Sequence, residues 1–202
     1  MEHKHNKNQG LIFVLSGPSG SGKTTLLGNV IRGVGLRKKL VRSISFTTRP
    51  RRSREKNGED YFFINETEFR QKLKAKKILE WTKYLGYYYA TPRDFVEEQV
   101  RKNKQIILCL DLKGAARVKR LYRKNTVTIF IMPPSLETLR KRIEGRCSRT
   151  RKEEIKQRLR LARRELLASR KYDYCLVNNS LRRAVKELQR IILRETEYNI
   201  AR

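Results

Sequence analysis

Residues 17–24 have the sequence GPSGSGKT and constrain the fold more than any other part of the chain. They match the pattern G-x-x-x-x-G-K-[ST] at every fixed position. The apolar run at residues 11–15 is typical of a buried strand, and residues 25–31 can continue as a helix. A strand, a glycine-rich turn and a helix in this order indicate a P-loop, the phosphate-binding turn found in parallel α/β sheets.

The chemistry of this turn predicts a nucleoside triphosphate site. Glycines allow several backbone N–H groups to point at phosphate oxygens, and the helix N-terminus adds a partial positive charge. We expect Lys23 to contact the β- and γ-phosphates and the Thr24 hydroxyl to ligate Mg²⁺. The predicted contacts to the triphosphate are Gly17, Ser19, Gly20, Ser21, Gly22, Lys23, Thr24 and Thr25.

The chain is strongly basic. Its 202 residues include 49 Lys and Arg but only 20 Asp and Glu, a net charge of +29. This charge predicts salt-sensitive attraction to polyanions. A solvated basic surface is the commoner explanation, and no nucleic-acid recognition motif is present, so no specific nucleic-acid partner is expected.

Cysteine usage and hydropathy favour a cytoplasmic protein that does not enter a membrane. The three cysteines are widely spaced, and Cys109 and Cys175 lie within apolar runs, where we expect them to be packing residues. Residues 1–9 are polar and predict a disordered tail. No apolar run approaches the length of a membrane span. A monomer and a homodimer both remain open.

Apolar runs alternate with amphipathic stretches beyond the P-loop, which predicts a parallel sheet with helices on both faces. Ligands should then bind at the carboxyl ends of the strands. Strands are predicted at residues 40–45, 106–110, 127–131 and 174–177. Helices are predicted at residues 94–103, 112–122, 135–144 and 181–196, with a long helix bearing Ile155, Leu159, Ala162 and Leu166 on one face.

Two segments interrupt this alternation. Residues 46–91 combine a basic loop, short aromatic strands and one helix, and they predict a small inserted α+β lobe. Residues 145–157 are rich in Arg and Lys and predict a mobile lid. The expected fold class is therefore α/β, a P-loop NTPase-type sheet with an inserted lobe and a lid, in a single domain of residues 10–202 whose core is residues 10–45 and 92–202.

The inserted lobe carries side chains suited to a second, nucleotide-like substrate. Arginines at positions 49, 51 and 52 stand beside hydroxyl-bearing residues, and arginine binds phosphate through paired hydrogen bonds. A solvated basic loop is the alternative for this segment taken alone. Glu80 precedes Trp81, and a carboxylate can accept hydrogen bonds from N1–H and the exocyclic amine of guanine, a donor pair that adenine and cytosine lack.

An ordered series of motifs resembles the guanylate kinase family across about residues 10–195. The series runs GPSGSGKTT, then S-x-T-T-R with a basic stretch and NGEDYFF, then EW followed by YYATP. It continues with LDLKG, PPS, EGR and VNN. A P-loop alone is shared by many families, whereas this ordered series is much more specific. The resemblance implies transfer of a phosphoryl group from ATP to GMP, and to dGMP, in nucleotide recycling and GTP supply.

The resemblance also assigns roles to individual residues. It implies that the GMP phosphate is bound by Arg49, Arg52, Tyr61 and Tyr89, and the base by Glu80, Ser45 and Thr91, with Asp111 near the guanine. It implies that Arg146 and Arg158 of the lid, with Arg142 as a further candidate, close over the phosphates and that Asn178 lies near the ATP base. The expected catalytic set is Lys23, Arg52, Arg146 and Arg158.

The chain departs from the family pattern at a few positions. Arg54 stands where glycine is usual, and the proline of the basic loop is shifted by one, to Pro50, so that Arg51 could replace Arg52. Cys109 replaces an acidic residue two positions before Asp111, and Ala90 replaces a glycine, a mild change if its φ is negative. Asn179 stands where Asp is common, and the lid is one residue longer.

Three other functions compete with this assignment. A non-catalytic scaffold domain related to guanylate kinase would tend to lose the P-loop and the lid arginines, which are present here. A different small-molecule kinase, acting for example on ribose bisphosphate, is disfavoured by Glu80 and Thr91. Nucleic-acid binding rests on net charge alone and would be an accessory property.

Overall fold

A computed structural model describes residues 9–33, 40–145 and 152–201. The strands of its larger sheet are β1 (Ile12–Ser16), β2 (Leu40–Arg42), β7 (Gln105–Cys109), β8 (Thr126–Met132) and β9 (Tyr174–Val177). These five strands are parallel and lie in the order β2–β7–β1–β8–β9. The central strand β1 is buried along its whole length and pairs with β7 on one side and β8 on the other.

Helices cover both faces of this sheet, as predicted. They are α1 (Lys23–Arg32), α3 (Arg93–Arg101), α4 (Leu112–Leu121), α5 (Leu136–Glu144), α6 (Lys152–Leu167) and α7 (Leu181–Ile200). On one face, α1 and α7 bury Leu26 and Leu188 against the strands. On the other face, α3 and α4 bury Val96 and Val118. The predicted α/β class with a helix-flanked parallel sheet is confirmed.

Local signals in the sequence account for several helix ends. The Ser135 hydroxyl accepts a hydrogen bond from the Thr138 amide, so the predicted N-cap of α5 is confirmed. Asn65 and Glu68 form a reciprocal capping box at the start of α2 (Glu66–Lys74). Ile155, Leu159 and Ala162 of α6 pack against Leu139 and Ile143 of α5, through the apolar face that the sequence predicts.

A second, four-stranded sheet lies within the segment predicted as an inserted lobe. Its order is β4–β3–β6–β5, formed by β3 (Phe46–Thr47), β4 (Phe62–Phe63), β5 (Ile78–Tyr84) and β6 (Tyr87–Pro92). One face packs on Phe69 of α2, which contacts Tyr88 and Trp81. Side chains alternate along a strand, so Glu80 and Tyr84 belong to the opposite face, which we call the cleft face.

Some predictions need correction. The predicted strand at residues 40–45 is divided, because β2 ends at Arg42 and Phe46 joins the second sheet instead. Cys175 is exposed rather than packed in the core, because alternate side chains of the edge strand β9 face outward. Ala90 has no positive φ and is buried, so its replacement of glycine causes no backbone strain.

The predicted tail and lid lie partly outside the described residues. Within the predicted tail, Gln9 is described, and its carbonyl accepts a hydrogen bond from the Asn199 side chain of α7. Within the predicted lid, residues 152–157 form the first turns of α6. None of the helices in the described ranges is both long and apolar enough to cross a membrane.

Candidate active site

The P-loop connects the carboxyl end of β1 to the N-terminus of α1, the position expected for a phosphate site. Gly17, Gly20 and Gly22 have φ values of 134°, 93° and 94°, a region that side-chain-bearing residues rarely adopt. A Cβ atom on Gly17 would lie 2.4 Å from the Ile131 carbonyl oxygen. The loop therefore requires glycine for both its conformation and its close packing.

Polar side chains of the loop are arranged around its backbone. Lys23 Nζ donates to the carbonyl oxygens of Gly17 and Pro18, at 2.6 and 3.1 Å, and so lies folded over the loop. Thr24 and Thr25 are exposed at the first turn of α1. Ser21 Oγ is buried and has no hydrogen-bond partner among the described residues. An orphan hydroxyl in a phosphate-binding turn is consistent with a ligand that completes the site.

Asn178 follows β9 and fixes the loop from the opposite side. Its Nδ2 donates to the Ser21 carbonyl at 2.8 Å, and its side chain is buried. Arg142 donates to the Asn178 carbonyl at 3.1 Å, while its other terminal nitrogen, Nη1, is buried without a described partner. Asn178 therefore contacts the P-loop directly, and Arg142 is connected to the loop through Asn178.

Arg158 is brought to the P-loop by helix α6. Its Nη1 donates to Ser19 Oγ at 2.9 Å, and its Nε and Nη2 bind Glu154 at 2.9 and 2.6 Å. Only 15% of its side chain is exposed. The structure thus places one predicted lid arginine beside the phosphate loop. Arg146, the other predicted lid arginine, lies outside the described residues, as does Cys147 beside it.

Glu80 lies on the cleft face of β5 and is 3% exposed. Its Oε1 accepts a hydrogen bond from Thr91 Oγ1 at 2.5 Å, across the β5–β6 pair. Burial raises the pKa of Glu80 to about 7; the Thr91 hydroxyl opposes this shift, and the Asp111 carboxylate adds to it. Glu80 and Thr91, which are both predicted to bind the base, are thus hydrogen-bonded to each other, and Asp111, expected near the guanine, lies beside them.

Asp111 follows β7 and caps helix α4. Its Oδ1 accepts a hydrogen bond from the Gly114 amide at 2.8 Å. A Cβ atom on Gly114 would lie 2.5 Å from Glu80 Oε2, so this position has no room for a side chain. Asp111 therefore stands at the carboxyl edge of the main sheet, next to the predicted base-binding residues.

The predicted phosphate-binding group is assembled around Arg49. The Arg49 guanidinium donates to both carboxylate oxygens of Glu55, at 2.7 and 2.9 Å, and lies 5.7 Å from the centre of the Tyr61 ring. The rings of Tyr61 and Tyr89 are 5.9 Å apart, and burial raises the pKa of Tyr61 to about 12. The Tyr61 phenol is thus protonated and able to donate to an anion.

The basic loop next to Arg49 is held by Glu55. Burial raises the pKa of Glu55, but hydrogen bonds from Arg49 and the Arg52 amide hold it below its ordinary value. The Arg52 side chain is 45% exposed and 3.8 Å from Glu55, while Arg51 donates only to the Glu55 backbone carbonyl. The loop therefore leaves Arg52 near Arg49, with Ser45 half-buried just before β3.

Two further side chains near the P-loop and Arg158, namely Glu165 and Tyr84, are not predicted from the sequence. Glu165 lies two turns beyond Arg158 on α6. Its pKa is raised, chiefly by burial and also by the Asp111 carboxylate, while the charge of Lys23 partly offsets this rise. Tyr84 ends β5 and contacts Arg158. Alternation along β5 was the available signal for Tyr84, because it shares the face of Glu80. Helical spacing from Arg158 was the signal for Glu165.

Cys109 lies at the end of β7 and is partly buried against the main core. Burial raises the pKa of its thiol, and the charges of Lys23 and Arg42 partly offset this shift. The family's acidic residue is therefore replaced by a neutral thiol near Lys23. No cluster of three or more His, Cys, Asp or Glu side chains that could form a metal site occurs in the described parts of the chain.

Known proteins with similar sequences and structures point to one family. The sequence model of the family described as guanylate kinase matches residues 9–195. The guanylate kinase of Wolbachia pipientis wMel is 40% identical over 189 residues, which cover 94% of this chain and 92% of that protein. The guanylate kinase of Malacoplasma penetrans is 40% identical over 193 residues, covering 95% of this chain and 96% of that protein.

A solved structure gives the same result. The crystal structure of guanylate kinase from Anaplasma phagocytophilum superposes with a TM-score of 0.76 at 33% identity, covering 94% of this chain and 87% of that one. The motifs, the sheet and these relatives agree over nearly the whole chain. The chain therefore belongs to the guanylate kinase family and is a nucleoside monophosphate kinase, an ATP:GMP phosphotransferase.

Proposed function

We propose that the side chains around the P-loop and on the cleft face form the active site of this kinase and that the enzyme accepts dGMP as well as GMP. The observation that carries the proposal is Glu80, a buried carboxylate bonded to Thr91 on the face that also bears the tyrosine pair. A buried carboxylate needs a partner with donors to offset its desolvation, and guanine offers two. The assigned contacts are to base and phosphate, which GMP and dGMP share.

The GMP phosphate would be bound by Arg49, Arg52, Tyr61 and Tyr89. Arg49 is already oriented by Glu55, so its guanidinium needs little reordering when an anion arrives. The tyrosine hydroxyls would add hydrogen-bond donors without adding positive charge. Ser45 would contribute a further hydroxyl near the base.

Transfer of the phosphoryl group would rest on positioning and charge. The GMP phosphate is itself an anionic nucleophile, so no general base is assigned. Lys23 and Arg158 would neutralise charge on the transferred group, with Arg52 on the acceptor side and Arg146 as a further arginine assigned from sequence. Lys23 and Arg158 both contact the P-loop, at Gly17 and Ser19 respectively, and these contacts support their proposed role at the γ-phosphate.

The residues present fit a magnesium–ATP donor. The glycine conformations, the orphan Ser21 hydroxyl and the exposed Thr24 at the helix N-terminus provide a phosphate cradle beside a hydroxyl ligand. Thr24 would hold Mg²⁺, which would lower the negative charge of the phosphates. Asn178 would contact the ATP base.

We place the enzyme in the cytoplasm, in nucleotide recycling and GTP supply, because the chain has the composition of a cytoplasmic protein and shows no membrane span in its described helices.

The test is ADP production from Mg-ATP with GMP, dGMP, AMP, CMP and UMP in parallel. We expect turnover with GMP and dGMP alone. Lys23→Ala should abolish it, since the loop would lose the cation nearest the transferred group. Glu187→Gln, an exposed change on α7, is the matched control. Turnover with AMP at a rate near that of GMP would overturn the assignment of Glu80.

A further inference from the structure

Tyr84 lies where three parts of the molecule meet. It ends β5 in the inserted lobe, and the Arg158 guanidinium of α6 lies 5.9 Å from the centre of its ring. Arg158 in turn donates to the Ser19 hydroxyl of the P-loop at 2.9 Å. Arg158 therefore connects Tyr84 of the inserted lobe to Ser19 of the P-loop.

Position along β5 connects the contact between Tyr84 and Arg158 to the base-binding end of the lobe. Tyr84 is four residues beyond Glu80 on the same strand, and the β5–β6 pairing is regular between them. Both side chains therefore belong to the cleft face. Any movement of the lobe that brings Glu80 towards a bound base also moves Tyr84 relative to Ser19 and Arg158.

We infer that Tyr84 is a positioning residue that holds Arg158 over the P-loop when the inserted lobe is closed. The inference rests on the proposed function of Arg158. The aromatic face stabilises the guanidinium through a cation–π contact. Glu154 anchors the other edge of the guanidinium, so the arginine has a defined orientation before it meets a phosphate.

This arrangement makes arginine placement depend on lobe closure. With the lobe open, Tyr84 leaves, and Arg158 keeps only its contacts to Glu154 and Ser19. With the lobe closed over the acceptor nucleotide, the ring completes the support. ATP is then surrounded by its full set of positive groups only when an acceptor is present, which limits wasteful transfer to water.

The experiment compares Tyr84→Ala and Tyr84→Phe with Tyr198→Ala, a control at a tyrosine of α7 that is 55% exposed. Steady-state kinetics are measured for GMP and for Mg-ATP, with thermal melts to verify folding. Tyr84→Ala should lower kcat about tenfold, as expected for loss of a partly buried cation–π contact, with KM for GMP changed less than about twofold. Tyr84→Phe, which keeps the ring, should retain most of kcat, and Tyr198→Ala should match the wild type.

A double-mutant cycle with Arg158→Ala separates positioning from general structural damage. If Tyr84 acts through Arg158, Tyr84→Ala should have almost no effect on kcat in the Arg158→Ala background. Equal effects of Tyr84→Ala in both backgrounds would refute the inference, as would wild-type kcat in Tyr84→Ala. A wild-type enzyme that fails to phosphorylate GMP would instead overturn the proposed function.

Discussion

Replacing Glu80 with glutamine should stabilise the enzyme while impairing its activity. The pKa of Glu80 in the folded protein is about 7, against an ordinary value of 4.5. The folded state therefore binds this proton more tightly than the unfolded chain does. As pH rises from about 4.5 through about 7, the charge must be formed in a buried site, and the free energy of unfolding falls.

The size of this effect follows from the shift. A difference of roughly 2.5 pKa units corresponds to about 3 kcal/mol at pH 8, an upper value for a side chain that is 3% exposed. Glutamine has nearly the same shape and keeps an oxygen for the Thr91 hydroxyl, but it carries no charge. Glu80→Gln should therefore gain up to about 3 kcal/mol over the wild type at pH 8 but less than about 1 kcal/mol at pH 5.

The assay is urea or thermal unfolding of the wild type, Glu80→Gln and Glu187→Gln at several pH values between 5 and 8. For a chain of this length, the gain at pH 8 corresponds to a rise in Tm of about 5–10 °C. The quantity that matters is the difference between variant and wild type as a function of pH. A difference that stays constant from pH 5 to 8, or that grows equally in Glu187→Gln, would refute the reasoning.

Three further predictions concern activity and stability. KM for GMP should rise about tenfold from pH 8 to pH 6, because Glu80 is then largely protonated and offers one acceptor fewer; kinetics of Glu80→Gln at the same pH values correct for titration of GMP itself. Gly22→Ala should raise KM for ATP at least tenfold, because the new Cβ would lie 2.4 Å from Asn178 Nδ2 at a φ of 94°; an unchanged KM would contradict this. Leu188→Ala should cost about 2–5 kcal/mol in urea unfolding, because the side chain is fully buried, whereas Leu193→Ala, 40% exposed, should cost under about 1 kcal/mol.

The sequence predicts what depends on neighbours along the chain. The P-loop, the buried strands and the N-cap of α5 follow from local pattern, since glycine spacing, apolar runs and a serine before a helix act within a few residues. Glu80 is also found from sequence, because the chemistry of guanine requires a carboxylate and the EW motif supplies one. These features are confirmed as structure, while their roles in binding stay predictions.

Contacts between distant segments could not be predicted in this way. Tyr84 looks like an ordinary strand aromatic until β5, the P-loop and α6 are placed together in space. The predicted strand ends at Arg42 because Phe46 pairs with Ala90 in the second sheet, which cannot be seen from the strand's own residues. The exposure of Cys175 depends on β9 being the edge strand, a property of the whole sheet rather than of its own residues.

The bond from Asn178 to the Ser21 carbonyl joins residues 157 positions apart. Asn178 and helix α7, which packs on α1, are therefore synthesised well after the P-loop. Closing so large a loop is slow compared with forming a local turn. The nascent chain thus carries the complete P-loop motif long before it can hold that loop in shape. Affinity for ATP should accordingly be acquired only after Asn178 and α7 have been synthesised, so binding at the P-loop should depend on a much later part of the chain.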